Sequence, residues 1–441
     1  MKFLVTLAVR NLFRQRRRTF ITAVAIAVGL SMFIFFDSML TGLRVDSEQN
    51  LILYETGSAR ITTEAFWEDR ENLPLKESIE QPGRLLQELE EAGYAATPRI
   101  VFSGELILRK DPFPEDGSMQ AKISAIDPER DGEVYEIVES LSDGRMLKRD
   151  EPAVLLGQWL AEDINAEVGY PLTIVTRTKQ GYFQTIDVEI VGLVSTPNPQ
   201  VNRTGIFLPL ETADYFLQME GAVSQIDIHF AFHRSLKREM ASIREVVDPE
   251  SSTGAGSGAG PPSDAGSGAR SDAGGEQLTL VSWREIGEDF VALAAAKDSG
   301  SKMILFLVFI IAAVGVSNTM LMSVYERIRE IGMMRALGMK GGEIRWAFLL
   351  EAAGIGLIGS AVGLLIGAAA NVYLVEYGID YSFMMRDLDM GYRITGIMRG
   401  IWDSATFVSA FLTGVLLSVL IALIPTRKAL KMSVTDALRY Q

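Results

Sequence analysis

The stretch MILFLVFIIAAVGVSNTMLMSV, Met303–Val324, holds no charge and runs directly into YERIREIGMMRALG, Tyr325–Gly338. About 20 apolar residues in a helix are enough to cross the hydrocarbon core of a bilayer. Working outward, two more uncharged runs follow, Ala352–Val375 and Ser404–Ile424, and one precedes, Thr19–Phe36. Residues 37–302, mostly polar, separate the first run from the second. The pattern predicts an α-helical membrane protein with four transmembrane helices, one and then three, and a large domain outside the bilayer.

Charge orients the chain. Met1–Arg18 carries Lys2, Arg10, Arg14, Arg16, Arg17 and Arg18 and no acid. Tyr325–Trp346 and Pro425–Gln441 are also net basic, whereas the chain as a whole is −14. Basic short loops mark the cytoplasmic face. This predicts a cytoplasmic segment 1–18, a first span 19–43, an outer domain 44–300 and a second span 301–324. A cytoplasmic segment 325–346, a third span 347–375, an outer loop 376–403, a fourth span 404–424 and a cytoplasmic tail 425–441 complete the expected order. Thr19–Phe36 is long for the apolar core of a signal peptide, and no A-x-A-like site follows, so it reads as an uncleaved anchor.

The outer domain reads as mixed α/β with two lobes. Ser58–Thr63, Gln225–His233 and Leu278–Val281 are strand candidates, and Glu80–Ala92 and Leu236–Val247 are helices. Between them, short strands at Gly104–Arg109, Ala121–Ile126, Ala153–Leu156, Pro171–Arg177, Thr185–Val194 and Thr204–Pro209 suggest a β-rich lobe inserted over about 101–219. Short helices fit Gln158–Asn165 and Leu210–Gln218. Ser251–Glu276 is Gly/Ser/Ala/Asp-rich and predicts a disordered loop. The chain has no Cys, so an apolar core must hold the domain.

Signs of chemistry are few. No G-x-x-x-x-G-K-[ST] phosphate loop and no G-x-S-x-G elbow occurs. His229 and His233 have no third ligand nearby in sequence, and a structural or surface role is favoured over metal binding. The acidic outer domain offers no basic nucleic-acid face. The chain is therefore expected not to be an enzyme and to bind no metal.

In Tyr325–Gly338, Ile328, Ile331, Met334 and Leu337 recur every three residues, and Gly338 suits a helix stop. Its mixed charges fit a helix that docks a cytoplasmic partner better than one resting on lipid. Ile355, Gly359, Gly363, Gly367 and Asn371 lie four apart on one face of the third span. Small residues at this spacing let helices approach closely, within one subunit or across a dimer seam. Glu351, one turn earlier, either snorkels or pairs with Arg345 or Arg335. Phe33, Phe36 and Asp37, at the outer end of the first span, are candidate substrate-access residues.

Three segments carry a family resemblance. AVRNLFRQRRRTFITAVAIAVG (Ala8–Gly29), ERIREIGMMRALGMKGGEI (Glu326–Ile344) running into FLLEAAGIGLIGSAVGLLIG (Phe348–Gly367), and IPTRKALKMSVTDALRY (Ile424–Tyr440) resemble the permeases of the MacB/LolC/LolE/FtsX class of ABC transporters. In the last segment Val434 stands where that class usually has a second Pro. The resemblance implies a dimer of permeases, alike or different, with cytoplasmic ABC ATPase subunits that hold ATP and Mg. It implies ATPase coupling through Glu326, Arg329, Glu330, Ile331, Gly332, Met334, Arg335, Leu337 and Gly338. It places the chain in the inner membrane, with both termini cytoplasmic and the large domain periplasmic. The expected function is that of a stand-alone LolC/LolE-type permease releasing lipoproteins, with lipoprotein cargo, a periplasmic carrier and membrane lipid as partners. A MacB-like exporter of peptides, drugs or virulence factors and an FtsX-like regulator of periplasmic enzymes are the alternatives. For the motion itself, Gly300 and Ser301 are the expected joint.

Overall fold

Long uncharged runs leave a backbone no partner but itself, and helices dominate the first of two units in the computed structural model. The structure describes residues 6, 8, 10, 12, 14, 16–110, 113–232, 234–247, 269–270, 277–381, 393, 394 and 396–430. In chain order the elements used below are α1 (Arg16–Leu51), β1 (Ala59–Thr63), α2 (Pro82–Glu91), β2 (Ala95–Lys110), β3 (Phe113–Ile126) and α3 (Asp131–Val134). There follow β4 (Leu141–Gly144), β5 (Ala153–Gly157), β6 (Pro171–Arg177), β7 (Phe183–Val194), β8 (Ile206–Pro209), α4 (Leu210–Leu217), β9 (Gln225–His229) and α5 (Leu236–Val247). The last are β10 (Ala269–Arg270), β11 (Gln277–Ser282), α6 (Glu288–Glu326), α7 (Ile328–Ala336), α8 (Gly341–Glu376), β12 (Ile379–Asp380), β13 (Ile397–Met398) and α9 (Ser404–Leu430).

The helical unit comprises Met1–Arg44, Leu293–Tyr381 and Ile397–Gln441. Among the described residues, three helical stretches are long and apolar enough to cross a membrane: Thr19–Thr56, Gly341–Glu376 and Ser404–Arg427. The run Met303–Val324 lies inside α6, which has 39 residues. Gly300 also lies inside α6, so the helix has no break at the expected joint. Ala294, Ala295, Ala296 and Lys297 around it are strong helix formers, and one glycine costs only about 1 kcal/mol. The chain interrupts its helix earlier, at Gly287, after the short helix Trp283–Ile286.

The second unit comprises Val45–Ala292 and Ser382–Gly396. Its strands run in the order β10-β11-β1-β9-β2-β3-β8-β5-β7-β4, with β6 pairing both β2 and β7. Thus β2, β3, β8, β5, β7 and β6 close into a ring, which leaves those strands few open edges. β10, β11, β1 and β9 form an open flank, β4 pairs with β7 of the ring, and α2 packs on β2 and on α5. The two parts share one strand. β2 has 16 residues, pairing β9 through Ala95–Arg99, β3 through Arg99–Lys110 and β6 through Glu105–Leu108. One apolar core takes Leu86, Leu89, Ile226 and Leu280 from the flank and Ile123, Ile174, Ile186 and Leu208 from the ring. β2 and β3 begin well before the sequence candidates Gly104–Arg109 and Ala121–Ile126. Pro98, Gly104, Pro114 and Gly117 disguise them by interrupting the β pattern.

Of the expected disordered loop, Ala269–Arg270 forms β10 against β11. Residues 251–268 and 271–276 lie outside the described residues, as does His233.

A buried ionic cluster sits where β2 passes from flank to ring. Arg99 donates to both carboxylate oxygens of Asp131 at 2.9 Å, and Arg60 donates to Asp227 at 2.6 Å. Gln225 donates to the other oxygen of Asp227 at 2.8 Å. The Tyr135 ring covers the Arg99 guanidinium at 3.6 Å. Burial opposes charge on Arg99, but Asp131, Tyr135 and Asp227 outweigh it and raise its pKa. Removing one partner of such a pair strands the other charge, which typically costs about 3–5 kcal/mol. Arg99→Met is therefore expected to lower the unfolding midpoint of the full-length protein sharply. Arg99→Met combined with Asp131→Leu should recover part of that loss. Chemical denaturation followed by tryptophan fluorescence checks both.

Candidate functional site: the α6–α8 junction

The helix leaving the Met303–Val324 run ends at Glu326, and α7 begins two residues later. Between them stands Arg327, only 7% exposed. Its Nη1 donates to Glu351 of α8 at 2.9 Å and its Nε to Glu330 of α7 at 2.9 Å. Its guanidinium also lies 5.2 Å from the Phe348 ring centroid. Arg14, from the N-terminal segment, reaches Glu330 at 3.3 Å. A guanidinium is fitted to this role because it keeps its charge and can serve two carboxylates at once. Glu351 is therefore bound, with Arg327 as a partner. The chain reversal after α6 is what brings Arg327 to it.

α7 ends in a Schellman turn. The Met339 N–H donates to the Met334 carbonyl at 3.0 Å and the Gly338 N–H to the Arg335 carbonyl at 3.1 Å. Gly338 takes φ +95°, a conformation that favours glycine. The next helix starts with the Glu343 carboxylate accepting from the Lys340 N–H at 2.9 Å.

This geometry divides the residues expected to couple to an ATPase. Ile331 is 2% exposed and packs with Ile344 and Phe348, with Met334 and Met339 beside them. Ile328 and Gly332 are buried as well. Ile328, Ile331 and Met334 of the apolar stripe are therefore drawn inward, whereas Leu337 is not. Glu330 is half-buried between Arg327 and Arg14. Exposed in and around α7 are Glu326, Arg329, Met333, Ala336, Leu337 and Gly338, with Leu337 87% exposed, while Arg335 is half-buried. Met333 is the residue that the sequence reading missed. A 3.6-residue period measured from Leu337 would have reached it.

The glycines of α8 form a groove that α1 fills. A Cβ on Gly359 or on Gly363 would come within 2.9 Å of the Ala23 or Ala27 carbonyl, and one on Gly367 within 2.9 Å of Ile34 Cδ1. The small-residue face is thus occupied within the chain. Asn371, further along that face, is wholly buried. Ser38 accepts from the Ile401 N–H at 3.1 Å, and the Asn371 amide closes on the same hydroxyl. Nearby, the Thr406 hydroxyl of α9 lies 2.6 Å from Asp37 and 3.0 Å from Asp403. Phe33 packs beside Leu30, Ile34 and Ala410, while Phe36 is exposed. Asp37 and Phe33 serve contacts inside the chain, and Phe36 alone of the three presents an exposed ring.

In the α/β unit, His229 lies 3.4 Å from Ser58 Oγ and packs edge-on to Phe232. Among the described residues no group of three His, Cys, Asp or Glu could hold a metal.

A helical unit with three bilayer-length helices, a mixed α/β unit and a charged helix junction are the features of a membrane protein with a large non-membrane portion. The FtsX-like permease C-terminal family matches residues 302–434, and the MacB-like periplasmic core domain family matches residues 19–246. The chain belongs to the MacB/FtsX-like permease family. Among curated relatives, the macrolide export ATP-binding/permease protein MacB of Hahella chejuensis is 33% identical over 129 residues, 29% of this chain. The ABC transporter permease YtrF of Bacillus subtilis is 34% identical over 134 residues, 30% of this chain. The matched regions take up 17% and 29% of those two proteins. The periplasmic region of MacB from Actinobacillus actinomycetemcomitans is 15% identical, covers 52% of this chain and 91% of its own, and aligns with a TM-score of 0.32.

Two outcomes follow from the site geometry. Gly363→Leu should force α1 off α8 and lower the thermal unfolding midpoint in detergent. Gly342→Leu, at a glycine with open space around it, should leave the midpoint almost unchanged. His229 is depressed below the ordinary imidazole value by burial. The unfolded chain then binds more protons, so the contribution is complete above pH about 6.5 and is lost as pH falls through the depressed value. Unfolding midpoints measured from pH 8 to 5 should fall less steeply in His229→Gln than in the parent.

Proposed function

We propose that the chain is the permease subunit of an ABC transporter and receives the stroke of a cytoplasmic ATPase at α7. ATP and Mg belong to that partner. The observation that carries this reading is the exposed stripe Arg329, Met333 and Leu337, on a short helix braced from behind by buried Ile331 and Arg327. A braced helix with a mixed polar and apolar outer face suits a protein socket. The family membership and the names of the MacB and YtrF relatives support it.

In this proposal α1, α6, α8 and α9 all span the inner membrane. Residues 1–18, 325–346 and 425–441 are cytoplasmic, and 44–300 and 376–403 lie in the periplasm. The uncharged run within α6 and the basic short segments support that placement. A second permease, identical or homologous, completes the transporter, and ATP-driven closure moves the α/β unit.

For cargo we propose an amphiphile. Lipoprotein release is one form, with Phe36 as the access residue and a periplasmic carrier as acceptor. Export of a small molecule or peptide is the other, supported by the macrolide export name of the MacB relatives. A photo-crosslinker at Phe36 separates them: capture of acylated protein favours release, and absence of it favours export.

The coupling test uses the full-length permease co-expressed with its ATPase and purified in mild detergent. Met333→Asp with Leu337→Asp should insert and melt like the parent yet retain at least ten-fold less ATPase. Ile331→Asp should instead lower the melting temperature of the permease itself. Undiminished ATPase retention by the double variant rejects α7 as the socket.

A further inference from the structure

We propose that the exposed aromatics at the ends of α8 and α9 are two contact surfaces for the headgroup layers of a bilayer. Tyr373, Tyr377 and Trp402 form the outer surface, and Trp346 meets the inner layer. This placement rests on the reading that α8 and α9 span the membrane, and it adds the depth at which they do so.

Tyr373 stands 27 residues after Trp346 in one continuous helix. At a rise of 1.5 Å per residue the two positions are about 40 Å apart along the axis. A bilayer measures about 40–45 Å across when its headgroup regions are included. One charge falls between them, Glu351, and it is buried against Arg327. The side chains that α8 exposes over this length include Leu357, Val362, Leu365 and Ile366. α9 repeats the pattern. Val408, Leu412, Leu416, Leu420 and Ile424 lie four apart and are all exposed, and no charge stands between Asp403 and Arg427. Both helices are of bilayer length, so these stripes face hydrocarbon and the rings at their ends fall where hydrocarbon stops.

The outer aromatics share one level. The Gly400 N–H donates to the Leu374 carbonyl at 3.2 Å, which sets Trp402 beside the last turns of α8. Tyr373 and Tyr377 stack at 5.3 Å, and Trp402 stacks on Phe407 at 5.4 Å. Tyr373, Tyr377 and Trp402 are each more than half exposed. Such rings have an apolar body and a polar edge, and a headgroup layer satisfies both at once. Beyond this level the chain leaves helix for the paired strands β12 and β13, as backbone outside hydrocarbon can. Glu376, Arg399 and Asp403 stand within three residues of these rings and carry both signs, so the surface meets headgroups without selecting their charge. At the other end of α8, Trp346 is 58% exposed and follows the exposed Arg345, as suits the basic inner face.

The test uses the full-length protein in lipid bilayers with single cysteines carrying a nitroxide, since the chain has no Cys of its own. Electron paramagnetic resonance then compares collisions with oxygen, which concentrates in hydrocarbon, and with a water-soluble nickel chelate. Labels at Val362→Cys and Leu412→Cys should give an oxygen-to-nickel ratio about ten-fold above those at Trp346→Cys, Tyr377→Cys and Trp402→Cys. The latter three should in turn exceed Tyr182→Cys, at an exposed position of the α/β unit. High nickel access at Val362→Cys and Leu412→Cys would sink the spanning reading itself. With those two shielded from nickel, ratios just as high at the aromatic positions overturn the headgroup placement, as do ratios no higher than that of Tyr182→Cys. A label at Tyr377→Cys or Trp402→Cys that neither probe reaches also overturns it, because a seam with a second copy then covers the ledge. If Trp402→Cys does not fold, Tyr377→Cys and Trp346→Cys carry the comparison.

Discussion

Arg327 is buried and charged, and much of the helical unit is arranged to make that tolerable. An isolated guanidinium removed from water would cost several kcal/mol, so it must be paired and hydrogen-bonded. Glu351 is one partner and 3% exposed, so the need is mutual. Satisfying both forces the chain to turn back at Glu326 and brings α7 against α8. Glu330, the second partner, then becomes the attachment for Arg14. One cation thus ties α7 to α8 and, through Glu330, to the N-terminal segment at Arg14.

With that anchor set, the apolar residues of α7 have little choice. Ile331 is drawn onto Ile344 and Phe348, and Ile328, next to Arg327, is buried as well. Leu337, at the C-cap, falls outside the buried arc and stays in solvent. Hydrophobic burial and the ionic anchor therefore agree about which face is inward. The exposed stripe is what remains after both are satisfied, and this is why the proposed docking role falls to Met333 and Leu337 rather than to Ile331.

Much of this could be read from the sequence where the signal is local. Uncharged runs marked three helices of bilayer length, Leu236–Val247 has the same bounds in both descriptions, and Gly338 stops α7 as a left-handed cap. Leu85, Leu86 and Leu89 are buried as their spacing requires. The failures are non-local. Nothing near Glu351 in sequence points to Arg327, because the pair is made by a chain reversal. The apolar period in Tyr325–Gly338 shows that a face is buried but not whether its cover is α8 or a partner. β2 is longer than its alternation suggests because pairing with β9 on one stretch and β3 on the next overrides Pro98 and Gly104. The helix Pro199–Thr204 was missed although Asn198 and Pro199 are a recognisable start, with the Asn198 side chain accepting from the Gln200 N–H.

The glycine groove adds a constraint on motion. Backbone contact along Gly359, Gly363 and Gly367 gives α1 and α8 a close, shape-matched seam, and packed interfaces move as bodies rather than stretch. Polar contacts close the end that carries Asn371, where Ser38 and Asp37 of α1 meet Asn371, Ile401 and Thr406. At the other end Leu12 packs on α8 and Arg14 reaches α7. A tilt imposed on α7 would therefore reach α1 by two routes, the ion pair through Arg14 and the α8 seam. Neither route needs a flexible joint at Gly300, which lies within continuous helix. On this construction, force entering at the exposed face of α7 is shared between α8 and α1.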